Sequence, residues 1–231
     1  MSVRIVPGEI SARDVTNRVA VPTSGLPKLP PFERVAETIA TPRRKLPLHR
    51  HDHAEVLTYV IEGSGFYELA PNSPEPVVEG SLRLLTAHAS ASHAINPGKG
   101  QTIRYFAVVT TLLANGASAT KLQSMQAVES AVQPDGTSFA RLVGPTTPVR
   151  SAVGLEAEAI RFQSDGTSFR QIGHSTLGLA YALAGRGTLD GEPIEIGEAA
   201  VIRDAAGIAL QGRAGFRVVL LRVPRPTAAD P

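Results

Sequence analysis

Apolar residues along this chain gather in short runs that either alternate with polar positions or are wholly apolar and β-branched: Val56 to Ile61, Ser81 to Thr86, Thr102 to Leu112, Leu177 to Leu183, Ala199 to Arg203 and Phe216 to Val223. Turn formers separate them, among them Glu62-Gly63-Ser64-Gly65, Pro71-Asn72-Ser73-Pro74, Gly185-Arg186-Gly187 and Leu189-Asp190-Gly191. Many short strands punctuated in this way predict an all-β barrel or sandwich. Ala114 to Val128 reads as a helix, against its Gly, Ser and Thr content. The leader 21–31 carries four prolines and is expected to run extended over the surface.

A faint repeat organises the runs. Tyr59-Val60-Ile61-Glu62-Gly63-Ser64-Gly65 is followed by Glu79-Gly80-Ser81-Leu82-Arg83-Leu84-Leu85, and Tyr181-Ala182-Leu183-Ala184-Gly185-Arg186-Gly187 by Ile196-Gly197-Glu198-Ala199-Ala200-Val201-Ile202. Strand, Gly-turn, strand, Gly-turn, strand thus occurs twice, which predicts two like barrels in tandem, 1–125 and 126–231. The pentapeptide Asp-Gly-Thr-Ser-Phe at 135–139 and 165–169 does not share that period and reads as hairpin-turn chemistry.

Composition narrows the function classes. A hydrophobic fraction of 42% in 231 residues and a mean hydropathy of +0.01 are those of a globular chain, and no apolar run is long enough to span a bilayer. No charged segment followed by an apolar core and a small-residue cleavage site opens the chain, so a cytoplasmic protein is expected. A net charge of +2, scattered Arg and Lys and only 5% aromatics give little support to nucleic-acid binding. Without cysteine, His and carboxylate are the remaining strong metal-binding groups.

Histidine is where the chain concentrates chemistry: five of its six histidines, at 49, 51, 53, 88 and 93, fall within 45 residues. On a strand, His49 and His51 share one face with Cα atoms about 6.6 Å apart, close enough for both imidazoles to reach one ion. An extended chain from His49 to Glu55 spans roughly 20 Å, so a bend near Asp52 is needed for Glu55 or His53 to return to that ion. His93 lies beyond the next hairpin, where a neighbouring strand would bring it across. Three imidazoles and one carboxylate suit iron(II), manganese(II) or nickel(II). His174 reads as structural, and Arg50, Arg83 and Arg104 as solvent-facing.

These residues resemble a family. His49-x-His51-x-x-x-Glu55 with Gly63, then Gly80 and His93, is similar to the two cupin motifs. The closer resemblance, over most of the chain, is to pirins, through His49, His51, Glu55, Tyr59 and Gly63 in the first motif and Gly80, Thr86, Ala87 and His93 in the second. It implies a bicupin, two double-stranded β-helix barrels with one divalent metal in the N-terminal barrel, iron(II) first and nickel, manganese, copper or zinc as alternatives. It also implies a small-molecule substrate taken with dioxygen, as in relatives that open flavonols, or a regulatory role, as in animal relatives. A monomer or homodimer is expected. The chain departs from the family where a ligating Glu is replaced by Ile95, and His53 and His88 stand where the family has Gly. The metal set implied is then His49, His51, His93 and Glu55, with His53, His88 or water as other fourth ligands. If it is not a ligand, Glu55 is the candidate catalytic base for a substrate hydroxyl. The expected activity is a dioxygenase acting on an enol, phenol or flavonol-type compound; the alternatives are a metal-dependent binding or redox-sensing protein, a non-catalytic scaffold and an isomerase.

Overall fold

The computed structural model describes residues 2–6, 9–11, 15–21, 29–42, 44–112 and 119–225, and among them there are strands and turns but no helix. They form two compact units. The first is 9–127 together with 151–153; the second is 1–8, 128–150 and 154–231. Beside the expected division at 125/126, the grouping by contacts puts 1–8 with the second unit and 151–153 with the first. The opening strand β1 (Ser2–Val6) pairs with a strand of the second unit, Val3 opposite Ile202 and Ile5 opposite Ala200. Ser151–Val153 belongs to the first unit because it is bound by a buried carboxylate there.

The first unit is one eight-stranded sheet: β2 (Glu9–Ser11), β3 (Val15–Val21), β4 (Phe32–Ala40), β5 (His49–Leu69), β6 (Glu75–Val78), β7 (Ser81–Pro97), β8 (Ile103–Thr111) and β9 (Lys121–Gln126). Its order is β2-β3-β4-β8-β5-β7-β9, with β6 on β5. The run Glu62 to Gly65, expected to be a turn between strands, is a bend inside the 21-residue β5. Gly63 has φ of 83°, and a Cβ there would overlap the Thr102 carbonyl, as one at Gly65 would overlap that of Asn96. Two missing side chains thus let β5 turn tightly and meet β7 twice. Its partners descend from His93 to Leu82 as β5 runs from His49 to Tyr59, and from Pro97 to His93 as it runs from Gly65 to Leu69. Lys121–Gln126, expected within a helix, is a strand because it completes the backbone hydrogen bonding of β7, Leu82 opposite Met125 and Leu84 opposite Gln123. Residues 114–118 of that expected helix, and 22–28 of the expected leader, lie outside the described residues.

The second unit holds two sheets. One has β1, β10 (Thr137–Val143), β11 (Glu156–Phe162), β13 (Thr176–Ala184), β16 (Ala199–Arg203) and β18 (Arg217–Pro224). The other has β12 (Gly166–Gln171), β14 (Arg186–Leu189), β15 (Glu192–Glu195) and β17 (Gly207–Gly212). Its hydrophobic core includes Ile160, Phe162, Leu189, Ile208, Leu210, Phe216 and Leu220, almost wholly buried, with the rings of Phe162 and Phe216 5.6 Å apart. The repeated pentapeptide acquires a role here. The Asp135 carboxylate of the first copy accepts hydrogen bonds from Thr137 Oγ1 (2.6 Å) and from Ser168 Oγ of the second (2.6 Å), which ties two turns together. His174 lies exposed in the turn between β12 and β13 rather than in a structural contact within the core.

One backbone position governs the first unit. His53 is a non-glycine residue with φ of 49°, a left-handed conformation that costs an L residue about 1–2 kcal/mol. Strand side chains alternate faces, so a left-handed residue within β5 changes the phase of the alternation on either side of it. His53→Gly is expected to keep the fold with stability equal to or up to about 1 kcal/mol above the parent, whereas the β-branched His53→Val is expected to lose about 1 kcal/mol or more. Urea denaturation of the two variants checks this.

Candidate metal centre

The phase change at His53 decides which residues of β5 face the barrel interior. Before it the inward positions are His49 and His51; after it they are Val56 and Thr58, all four lining one cavity. The neighbouring strands agree. Val56 is paired with Val109 and Thr58 with Ala107 on β8, and these in turn with Arg34 and Ala36 on β4, all of them cavity residues. On β7 the residue opposite His49 is His93. Because β5 returns after Gly63, Leu69 also pairs with His93, so this histidine is held between two stretches of the same strand. Tyr67, next to it on the returning stretch, packs its ring 5.3 Å from that of His93.

Three of the expected ligands therefore meet. One nitrogen from each of His49, His51 and His93 lies within 4.8 Å of the others, and the ring centroids are 4.4 to 5.1 Å apart. His93 is buried with neither ring nitrogen hydrogen-bonded, and His51 Nε2 is buried in the same condition. A buried polar atom without a partner costs about 1–3 kcal/mol, and an ion shared by the three rings would satisfy these nitrogens together. Burial, reinforced by His49 and His51, depresses the His93 pKa to about 3. Burial also lowers His49 and His51, with the Arg34 charge adding to both. All three imidazoles are thus neutral at pH 7, the form that binds a metal.

Glu55 is not brought to the cluster. It pairs with Thr86 on β7 and Thr110 on β8, on the face opposite to Val56. Its buried carboxylate accepts hydrogen bonds from Thr86 Oγ1 (3.0 Å), the Ala152 backbone N–H (2.9 Å) and the Ser151 hydroxyl. The roles of ligand and catalytic base were expected for it; in this structure its oxygens are occupied in anchoring 151–153 and are not grouped with the three imidazoles. His53, at the phase change, is exposed, and neither it nor His88 joins the cluster. Ile95 lines the cavity, buried, two residues beyond His93. Arg50 pairs with Asp52 at the surface, while Arg83 and Arg104 are half-buried and pair with Glu75 and Glu37.

Sequence reading missed the rest of the cavity wall. It has a volume of about 300 Å³ and carries Asn17, Arg34, Thr38 and Tyr105 among apolar Leu46, Pro47, Ile95, Ala107 and Val109. Thr38 Oγ1 donates to Asn17 Oδ1 (2.7 Å), and the Tyr105 hydroxyl shares a side-chain hydrogen bond with Thr38. Burial raises the Tyr105 pKa, which keeps it a neutral phenol. These residues come from strands with no distinctive motif, so only periodicity on β4 and β8 could have grouped them.

Glu55→Ala removes an anchor and not a ligand. It is expected to lower unfolding free energy by about 2–3 kcal/mol while leaving metal affinity within threefold of the parent, read by urea denaturation and metal titration. A second expectation concerns pH. His93, with a folded pKa near 3 against about 6.5 unfolded, takes up its proton more readily in the unfolded chain. Its contribution to stability is complete above about pH 6.5 and is lost as pH falls through the folded value. The metal-free chain should therefore lose stability between pH 7 and 5, above the range of ordinary carboxylates, and His93→Gln should flatten that slope.

No family model and no curated protein sequence matches this chain. Solved structures do. It is similar to GK1651 from Geobacillus kaustophilus, with a TM-score of 0.84, 17% identity and coverage of 98% of this chain and 97% of that one. It is similar to the bacterial pirin YhhW from Escherichia coli, solved in complex with nickel(II), with a TM-score of 0.80, 16% identity and coverage of 96% and 99%. Quercetin 2,3-dioxygenase from Acinetobacter baumannii matches with a TM-score of 0.83 and 17% identity over 96% of this chain and 79% of that one. With its all-β barrels and its histidine cluster confined to the first, this chain has the pirin-like bicupin fold.

Proposed function

We propose that this chain is a metal-dependent oxygenase of the cupin type that takes dioxygen and a small enol, phenol or flavonol-type compound. The observation that carries the reading is the convergence of His49, His51 and His93 on the wall of an apolar-lined cavity. Imidazole suits iron, nickel, copper and zinc alike, and iron(II) is the ion we assign. When bound, such an ion supplies Lewis acidity and, if redox-active, electron exchange with dioxygen. The chain's own residues do the remainder. Val56, Ile95, Ala107 and Val109 make the wall apolar, and the Tyr105 hydroxyl on the same wall offers a hydrogen-bonding group to a substrate oxygen. The nickel-bound pirin and the quercetin dioxygenase support the reading at the level of fold.

A second reading, a metal-dependent binding or redox-sensing protein, is favoured by one observation: among the described residues the cavity wall carries no carboxylate to act as a base. Metal analysis and oxygen uptake separate the two. The purified chain is expected to hold about one divalent ion, to consume oxygen with members of a panel of enols, catechols and flavonols, and to lose both properties in His93→Ala. Full metal occupancy without oxygen uptake on any compound assigns the second reading, and full occupancy in His93→Ala removes the cluster from both.

A further inference from the structure

The charge of the cavity points to the class of ligand it takes. Glu55 faces away from the three histidines, and Ile95 occupies the wall beside His93. Among the described residues the one charged side chain on the cavity wall besides the imidazoles is Arg34. The alternation of β4 places it there: Arg34, Ala36 and Thr38 share a face, opposite Val109, Ala107 and Tyr105 of β8. Four other arginines of the first unit have acidic partners. Arg18 and Arg104 meet Glu37, Arg50 meets Asp52 and Arg83 meets Glu75. Arg34 has no ion pair among the described residues, and its acidic neighbour Glu33 does not line the cavity but accepts a hydrogen bond from Thr111 (2.8 Å). A solvent-facing arginine needs no partner. Arg34 is itself exposed, but it also lines a concave site whose wall carries no carboxylate, so its charge meets a ligand there unopposed.

We propose that Arg34 is the specificity-determining residue of this cavity and that its ligand is a small organic acid, a carboxylate on a body of about one ring. Three features fit such an anion. Arg34 presents a planar fork of donors that matches a carboxylate with two parallel hydrogen bonds. The volume of about 300 Å³ lies at the lower end of the roughly 300–1,000 Å³ of small-molecule sites, which favours one ring over the three of a flavonol. With no carboxylate on the wall to take a proton, the cavity favours a ligand that arrives already ionised, and the anion brings the negative charge that the histidine set lacks. The inference rests on the reading of this cavity as the ligand site, and it narrows the substrate from enols and phenols in general to acids.

Salicylate and 2-hydroxybenzyl alcohol share a ring and a phenol and differ in the carboxylate, so they test the proposal as a matched pair. Their affinities are measured by calorimetry for the full chain loaded with nickel(II) and for the metal-free chain, with nickel content determined separately. Salicylate is expected to bind at least tenfold more tightly than the alcohol to the nickel-loaded chain, with a smaller preference in the metal-free one. Arg34→Met is expected to lower salicylate affinity about tenfold or more in both states, with the alcohol unaffected, and Arg34→Lys to restore part of the loss. Nickel content should be the same in all three proteins. Equal affinities of the parent and Arg34→Met for salicylate, in both states, would overturn the proposal whatever the nickel content. Failure of the parent to take up nickel, with the Arg34-dependent preference intact in the metal-free chain, would instead overturn the metal reading and leave Arg34 as the anion site.

Discussion

At His53 the backbone of β5 enters the left-handed region, and the strand's alternation changes phase. Before that residue the odd positions His49 and His51 look into the first barrel; after it the even positions Val56 and Thr58 do. A strand that kept one phase would bring Glu55 inside with the two histidines and put Val56 outside. The composition of the centre, three imidazoles and no carboxylate, follows from one dihedral angle. The carbonyl of the same residue accepts the Leu112 N–H (2.9 Å), so β8 holds the chain where the phase changes.

The displaced carboxylate is put to structural use. Buried on the other face, Glu55 would be costly without partners, and Thr86, Ser151 and Ala152 provide them. This is how three residues from far along the chain become part of the first unit. One residue thus shapes both the charge of the cavity, by leaving it, and the division of the chain into units, by holding 151–153.

The two barrels differ in what fills them. In the second, Phe162 and Phe216 with Leu189, Leu210 and Leu220 form an apolar core cluster. In the first, smaller side chains such as Ala36, Thr58, Ala107 and Val109 line an open volume beside the histidines. Side-chain size at these positions is one difference between the two interiors.

Much of this was legible in the sequence because it depends on local pattern. Period-two apolar runs and Gly-rich turns specify strands; a pair of histidines two apart specifies one face of a strand; and a histidine-poor second half confines the histidine cluster to the first half. What needed the tertiary structure was everything that depends on phase and pairing. The apolar period alone does not show that a strand changes phase at His53, that Glu62 to Gly65 bend one strand instead of separating two, or that Lys121–Gln126 completes the edge of β7. Those outcomes are set by hydrogen bonds to strands distant in the chain. For the same reason the sequence determined that His49, His51 and His93 could share an ion, while the pairing of β5 with β7 and β8 decided that Glu55 would not join them and that Arg34, from β4, would line the same cavity.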